Sequence, residues 1–310
     1  MQDIRISLRD IMSQASEADV TPLRNFLFSN PEKPLVTTGS GGAESVADFA
    51  ALLYGARGGV GTAVSPPPYT LNSYSDAALK TAKLLLVSAG GHNNDITFAA
   101  KRALDVNPVE SASFTLSQGE RNEVRKLFLK ASSELSLDIP GTRTHDGFVS
   151  TGTPLMFFAL LCRAFNPGCG LGKYSGMPLN LEGKLTESGL ATAMLSDYRN
   201  YCHGRFIFTS NHLEDSAVVM LVSPRERDIV ERTRKFLPAQ TSLVIIETEE
   251  DTPEAALDIL VRTTAFFFEL CEATGTNHES PSNPGRIDKR VPIWVPFISG
   301  MKKNGPLTIR

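Results

Sequence analysis

The chain has 310 residues, 41% hydrophobic and 21% charged, enough for one large α/β domain or two smaller ones with a core in each. Its 31 Lys and Arg against 34 Asp and Glu leave a formal net charge of −3, which excludes the broad basic surface of a nucleic-acid binder. The same composition excludes a disordered chain.

The N-terminus has no basic segment leading into an apolar one, so no signal peptide is expected. An N-terminal helical lead-in, residues 1–33, carries Ile4, Leu8, Ile11 and Met12 on one face and then Leu23, Phe26 and Leu27, and is expected to pack on the first sheet. Strand and helix then alternate: strand 35–38, helix 43–54, strand 60–64, helix 74–82, strand 84–88, helix 93–104, strand 111–116 and helix 120–134. That grammar implies a parallel sheet with helices on both faces.

Two of these strands run straight into small-residue loops. Leu35-Val36-Thr37-Thr38 meets Gly39-Ser40-Gly41-Gly42, and Leu84-Leu85-Leu86-Val87 meets Ser88-Ala89-Gly90-Gly91-His92-Asn93-Asn94-Asp95. A helix start leaves backbone N–H groups without partners and carries the positive end of the helix dipole, and glycine lets an anion come close. Twinned crossings of this kind point to a phosphate pocket, with Gly39, Ser40, Gly41, Gly42, Ser88, Gly91, His92 and Asn93 as candidate contacts. Tight turns alone would also explain the glycines. The dinucleotide fingerprint fits poorly, since Glu44 stands where its third glycine belongs, and neither loop has the Gly-Lys-Ser/Thr of a P-loop.

Residues 140–153 form a break rich in Gly, Thr and Pro, followed by an apolar helix over 154–165. A Gly-rich stretch, 166–177, leads to helix 179–195, strand 217–222, helix 225–237, strand 242–247 and helix 253–273, before an irregular tail. Arg225, Arg227, Arg232, Arg234 and Lys235 are interleaved with Glu226, Asp228 and Glu231, as on a solvated helix face. The longest apolar run, 155–162, is far short of the roughly 20 residues that span a bilayer, so no membrane contact is expected. Cys162, Cys169, Cys202 and Cys271 have no C-x-x-C spacing, which fits a reducing cytoplasm, and no histidine pair has metal-ligand spacing.

In order and interval the motifs resemble the sugar isomerase (SIS) family, whose signatures are a first loop like G-x-G-G-S and a second of the type S-x-S-G-x-T/S-x-D. Gly147-Phe148-Val149-Ser150-Thr151 is similar to the G-V-A-S-T that closes the first domain of tandem phosphosugar isomerases. Lys184-Leu185-Thr186-Glu187 is similar to their K-L-K-E, Cys202-His203-Gly204 to their K-H-G-P, and residues 217–224 to V-I-V-V-A-P. The tail, 281–291, loosely matches P-R-N-L-A-K-S-V, which places Lys289 at the family's active-site lysine and leaves Arg286 as an alternative anion contact.

The resemblance implies two flavodoxin-like, three-layer αβα domains with parallel sheets, at 34–152 and, in reduced form, 153–275, with a tail at 276–310. It implies an aldose-ketose sugar-phosphate isomerase acting through an enediolate without a cofactor. Glu187 would move the proton, His203 would open the ring from a neighbouring subunit of a homodimer with shared sites, and Lys184 and Lys289 would assist. Ser150 would contact the sugar. The residue chemistry is independently suitable: histidine titrates near neutrality, a partly desolvated carboxylate is a good shuttle, and a lysine stabilises an oxyanion. Lys184 and Glu187, three apart on one helix, also fit an ordinary surface ion pair, and His203 a structural histidine.

The sequence departs from the family at Ala43, Gly90 and Asn93, where hydroxyls are expected. Each loss removes or weakens a phosphate donor worth about 1.5–3 kcal/mol. The alternative is therefore a non-catalytic sugar-phosphate sensor or scaffold. No glutaminase segment precedes the isomerase-like part, so ammonia from glutamine is not expected within this chain.

Overall fold

The structure is a computed structural model and describes residues 4–58, 62–108, 110–117, 121–130, 135–138, 152–167 and 178–278. Five strands form one parallel sheet: β1 (Leu35–Thr38), β2 (Ala63–Val64), β3 (Lys83–Ser88), β4 (Glu110–Thr115) and β5 (Leu135–Asp138). All of β1 and β3 and all but the first residue of β4 are buried; β3 accordingly carries the apolar run Leu84–Val87, whereas β4 buries Ser111, Ser113 and Thr115 between Ala112 and Phe114. The spatial order is β2-β1-β3-β4-β5, with Leu35 paired to both Ala63 and Lys83. That is the flavodoxin-like order, whose topological switch point lies between β1 and β3.

Helices cover both faces. On one, α4 (Asp76–Lys80), α5 (Asn94–Val106) and α6 (Glu123–Lys130) enclose a core of Leu84, Leu86, Ile96, Ala99, Ala103 and Phe128. On the other, α3 (Gly42–Leu53) packs with α7 (Gly152–Phe165) against Leu35, Leu85, Val87 and Phe114. Twelve of the 14 residues of α7 are buried, as expected of a helix apolar all round. Phe158 stacks on Phe49 of α3 at 4.2 Å, and Phe157 meets Phe114 of β4 edge-on at 4.7 Å.

The N-terminal lead-in is two helices, α1 (Ile4–Glu17) and α2 (Thr21–Phe28), and both rest mainly on α7. Arg163 of α7 donates to the carbonyls of Ala15 and Ala18, and Arg24 donates to Ala164 at 2.7 Å. Leu23, Phe26 and Leu27 of α2 also share the core with Leu35 and Phe114 of the sheet, and a buried lysine adds polar contact. Lys83, at the start of β3, donates to the carbonyls of Phe26, Leu27 and Ser29, satisfying acceptors that the end of α2 leaves open. Desolvation pulls its pKa below the ordinary lysine range, against the nearby Glu110 carboxylate.

The second half holds a two-stranded parallel sheet, β6 (Ala217–Val222) beside β7 (Ser242–Glu247). Around it lie α8 (Pro178–Glu187), α9 (Tyr198–Asn200), α10 (Phe206–Asn211), α11 (Arg227–Phe236) and α12 (Ala256–Thr274). Helix 179–195 expected from the sequence ends at Glu187, beyond which Gly189 takes φ +72 and the chain leaves the helix through a turn. The segment 198–211, unassigned from sequence, is helical with a π turn at Tyr201–Arg205, broken by Gly204 at φ 135. Tyr198 anchors it by donating to the Leu221 carbonyl of β6 at 2.7 Å. Among the described residues, no helix is long and apolar enough to cross a membrane.

Candidate functional site

Both glycine loops leave the C-terminal ends of the strands that flank the switch point, β1 and β3, and α3 and α5 then depart to opposite faces. Such divergence opens a crevice where α/β sheets place their ligands. Gly39 has to be glycine because a Cβ there would lie 2.1 Å from the Ala43 carbonyl oxygen of the first turn of α3. Gly41 adopts φ 60, ψ −132 and leaves α3 without a side-chain cap; the loop's own carbonyls take two of the first-turn amides, Ala43 donating to Ser40 and Glu44 to Gly41. Gly91, at φ +64, lies so close to Asn122 that a Cβ would be 1.9 Å from Oδ1.

The pocket between the loops has a volume of about 230 Å³. Ser40, Gly42 and Ala43 form one wall, Ser88, Ala89, Gly90, His92 and Asn93 the other, and Thr153, Pro154 and Phe157 of α7 complete it. Of the sequence-predicted anion contacts, Ser40, Gly42, Ser88, His92 and Asn93 line this pocket, while Gly39, Gly41 and Gly91 shape the turns behind it. Ser150 lies outside the described residues.

The hydroxyls are not equivalent. Ser40 donates to the Asp95 carboxylate at 2.8 Å, so its proton faces the second loop. Ser88 accepts the Gly91 amide at 3.1 Å and keeps its own proton for another acceptor. Asn93 caps α5 by accepting the Asp95 amide at 2.8 Å, which leaves its NH2 for the pocket. Asp95 is the residue that sequence reasoning missed, although it fills the last position of the second-loop signature. Near the first loop, Glu44 has a raised pKa, mainly from desolvation and then from Asp48.

The residues expected to do chemistry stand elsewhere. Lys184 and Glu187 belong to α8, which packs against α12 and α3, and neither lines the pocket. Lys184 is buried, at 3% exposure, with its charge acting on exposed Glu187. Glu187 sits at the exposed end of α8, yet its pKa is raised: desolvation is the main cause, Lys184 pulls the other way and Glu182 adds repulsion. His203 is exposed on the kinked π turn, away from the pocket lining and not enclosed in a structural niche. Lys289 and Arg286 lie outside the described residues. Among the described residues, no cluster of His, Cys, Asp or Glu is arranged to hold a metal.

No protein-family model matches the chain, and no curated protein matches it in sequence. Solved structures do match in fold. The chain is similar to the C-terminal domain of glucosamine-fructose-6-phosphate aminotransferase from Francisella tularensis, with TM-score 0.61 and 11% identity over 90% of this chain and 96% of that one. It is similar to glucosamine-6-phosphate deaminase from Thermotoga maritima, with TM-score 0.61 and 14% identity over 89% and 97%. It is also similar to tagatose-6-phosphate ketose/aldose isomerase from Escherichia coli, with TM-score 0.58 and 17% identity over 90% and 92%. With strand order, loop placement and these likenesses in agreement, the chain has the sugar isomerase (SIS) fold.

Proposed function

We propose that the chain binds a sugar phosphate between the loops that follow β1 and β3 and interconverts its aldose and ketose forms. The observation that carries this reading is the convergence of two glycine-shaped helix starts, with Ser88, His92 and Asn93 as side-chain donors, on one pocket at the switch point. Two proteins of the same fold carry glucosamine-6-phosphate and tagatose-6-phosphate in their names, which favours this ligand class.

Isomerisation moves a proton between adjacent carbons through an enediolate. A base whose pKa is raised by desolvation matches that task better than a fully solvated carboxylate, and Glu187 is such a group. Lys184, one turn away and buried beside it, supplies positive charge for the developing oxyanion. His203 opens the ring, and it reaches the pocket from a second copy of the chain. After Gly204 and Arg205 come exposed Phe206, Ile207 and Phe208 at 42%, 54% and 51%, an apolar patch suited to a homodimer contact.

A sugar-phosphate sensor without catalysis is the second reading. It is favoured by the absence of Lys184, Glu187 and His203 from the pocket lining and by Ala43 and Gly90 in the loops. Solvent-deuterium incorporation at C2 of hexose and pentose phosphates, followed by NMR, separates the two. The isomerase reading expects incorporation that Glu187→Gln removes while a thermal shift by the same sugar phosphate persists. A ligand that binds without exchange leaves the sensor.

A further inference from the structure

Gly90 is the glycine of the second loop whose backbone does not require it. Unlike Gly91, it has no positive φ, so any L residue can adopt its conformation. What excludes a side chain is His92: a Cβ at Gly90 would lie 2.5 Å from both Cε1 and Nδ1 of its ring, and the nearest atoms to that position all belong to the imidazole. Real Cβ contacts are never that short, so a serine at 90 would evict the ring. The two positions are therefore a single device. Either 90 carries a side chain, or the imidazole of 92 lies over 90.

Both residues line the pocket, and the remaining donors there are few. Ser40 has its proton on Asp95, and Asn93 has its carbonyl oxygen on the α5 amide. Thr153 also lines the pocket, beside Ser88, the Asn93 NH2 and His92, and of these side chains only His92 can carry positive charge. A cationic N–H to a phosphate oxygen is shorter and about twice as strong as a neutral donor.

Resting on the pocket reading above, we infer that His92 is the principal side-chain ligand for a phosphate monoester in this chain, seated over Gly90 in place of the hydroxyl that a serine there would supply. The glycine at 90 is then the condition for a stronger donor rather than the loss of one. His92 also sets specificity, since an uncharged sugar gains far less from it than a phosphorylated one.

Calorimetric titration of the full chain with inorganic phosphate, glucose 6-phosphate and glucose tests this. The wild type binds the first two and not the third. His92→Ala weakens both by about tenfold to a hundredfold, the worth of one charge-assisted hydrogen bond, and His92→Gln, which keeps a neutral donor, loses less. Gly90→Ser also weakens binding in the wild type, but in a His92→Ser background the same change is neutral or favourable, a coupling that a double-mutant cycle reads directly. Melting curves without ligand check that each variant folds.

The inference is overturned if the wild type binds phosphate and His92→Ala binds as tightly. It is equally overturned if Gly90→Ser weakens binding alike in both backgrounds, which would make the glycine a backbone requirement. A wild type that binds neither phosphate compound removes the pocket reading itself, and this inference with it.

Discussion

Ser40 donates to Asp95 across 2.8 Å, joining residues 55 positions apart in the chain. The bond ties the loop after β1 to the first turn of α5, so the two walls of the pocket hold a fixed separation before any ligand arrives. It also makes Ser40 a brace between the loops, and the Asp95 carboxylate lies near the positive end of the α5 dipole.

Asp95→Ala is therefore expected to lower unfolding stability by about 1.5–3 kcal/mol, the range for a hydrogen bond to a charged group. Asp95→Asn keeps an acceptor for Ser40 and should lose less. Urea unfolding of the two variants checks the order, and equal stability of Asp95→Ala and wild type would show that the brace contributes nothing.

The glycines permit a comparison of backbone and packing costs. Gly41 adopts φ 60 with nothing within 4 Å of its virtual Cβ, so Gly41→Ala reports the backbone penalty alone, about 1–3 kcal/mol. Gly91→Ala adds a collision with Asn122, whose amide donates to Thr115 Oγ1 and the Ser117 carbonyl and whose Oδ1 accepts the Arg125 amide. It should be the costlier change by denaturant unfolding. A smaller loss at Gly91 than at Gly41 would contradict the close approach.

The centre of the first sheet was legible because β1 and β3 announce themselves twice, by their apolar residues and by the glycine loops that follow them. Strands β1, β3, β4, β6 and β7 fall within one residue of their sequence boundaries at each end. The strand Leu135–Asp138 was missed because four residues with alternating Leu carry too short a pattern to separate from the end of a helix. The segment 198–211 was missed because a kinked helix with three consecutive exposed apolar residues shows no amphipathic period. The loops marked the crevice between β1 and β3, but the bond from Ser40 to Asp95 was not foreseen, because its two partners lie in different loops. Which hydroxyl donates to which acceptor is a tertiary fact that spacing does not contain.

Glu187 yields a pH prediction. Its pKa is raised in the folded chain, so it holds its proton to higher pH than an ordinary glutamate, and exchange catalysed by its base form should rise with pH through that higher value. Lys184 pulls the pKa down, so Lys184→Met should move the acid limb to still higher pH. The linkage to stability has the same origin. A carboxyl with a raised folded pKa favours the fold at acidic pH, below the unfolded value, and that advantage is lost as pH rises through the folded value. Glu187→Gln should accordingly gain relative stability at neutral pH. Carbon-13 titration of the carboxyl in wild type and Lys184→Met checks the direction, and a shift to lower pH in the variant would overturn it.

A shared site between two copies makes a sharper demand than dimer formation alone. Under the proposed isomerase mechanism, Glu187→Gln would remove the shuttle from its own subunit, whereas His203→Ala would remove the ring-opening group from the neighbour. Each homodimer should be inactive in isomerisation assays started from the cyclic sugar. After mixing and exchange, about half the dimers carry one copy of each, and in each of these one of the two symmetric sites regains both wild-type residues. About a quarter of wild-type activity should return. The apolar run at Phe206, Ile207 and Phe208 has to be intact for this, so adding Phe206→Ser and Ile207→Ser to both copies should abolish complementation and yield monomers in sedimentation. If the mixture stays inactive while the dimer forms, His203 does not serve a neighbour's pocket. If His203→Ala alone keeps full activity on the cyclic sugar, ring opening needs no histidine from this segment, and the exposed turn beside Gly204 has a different use.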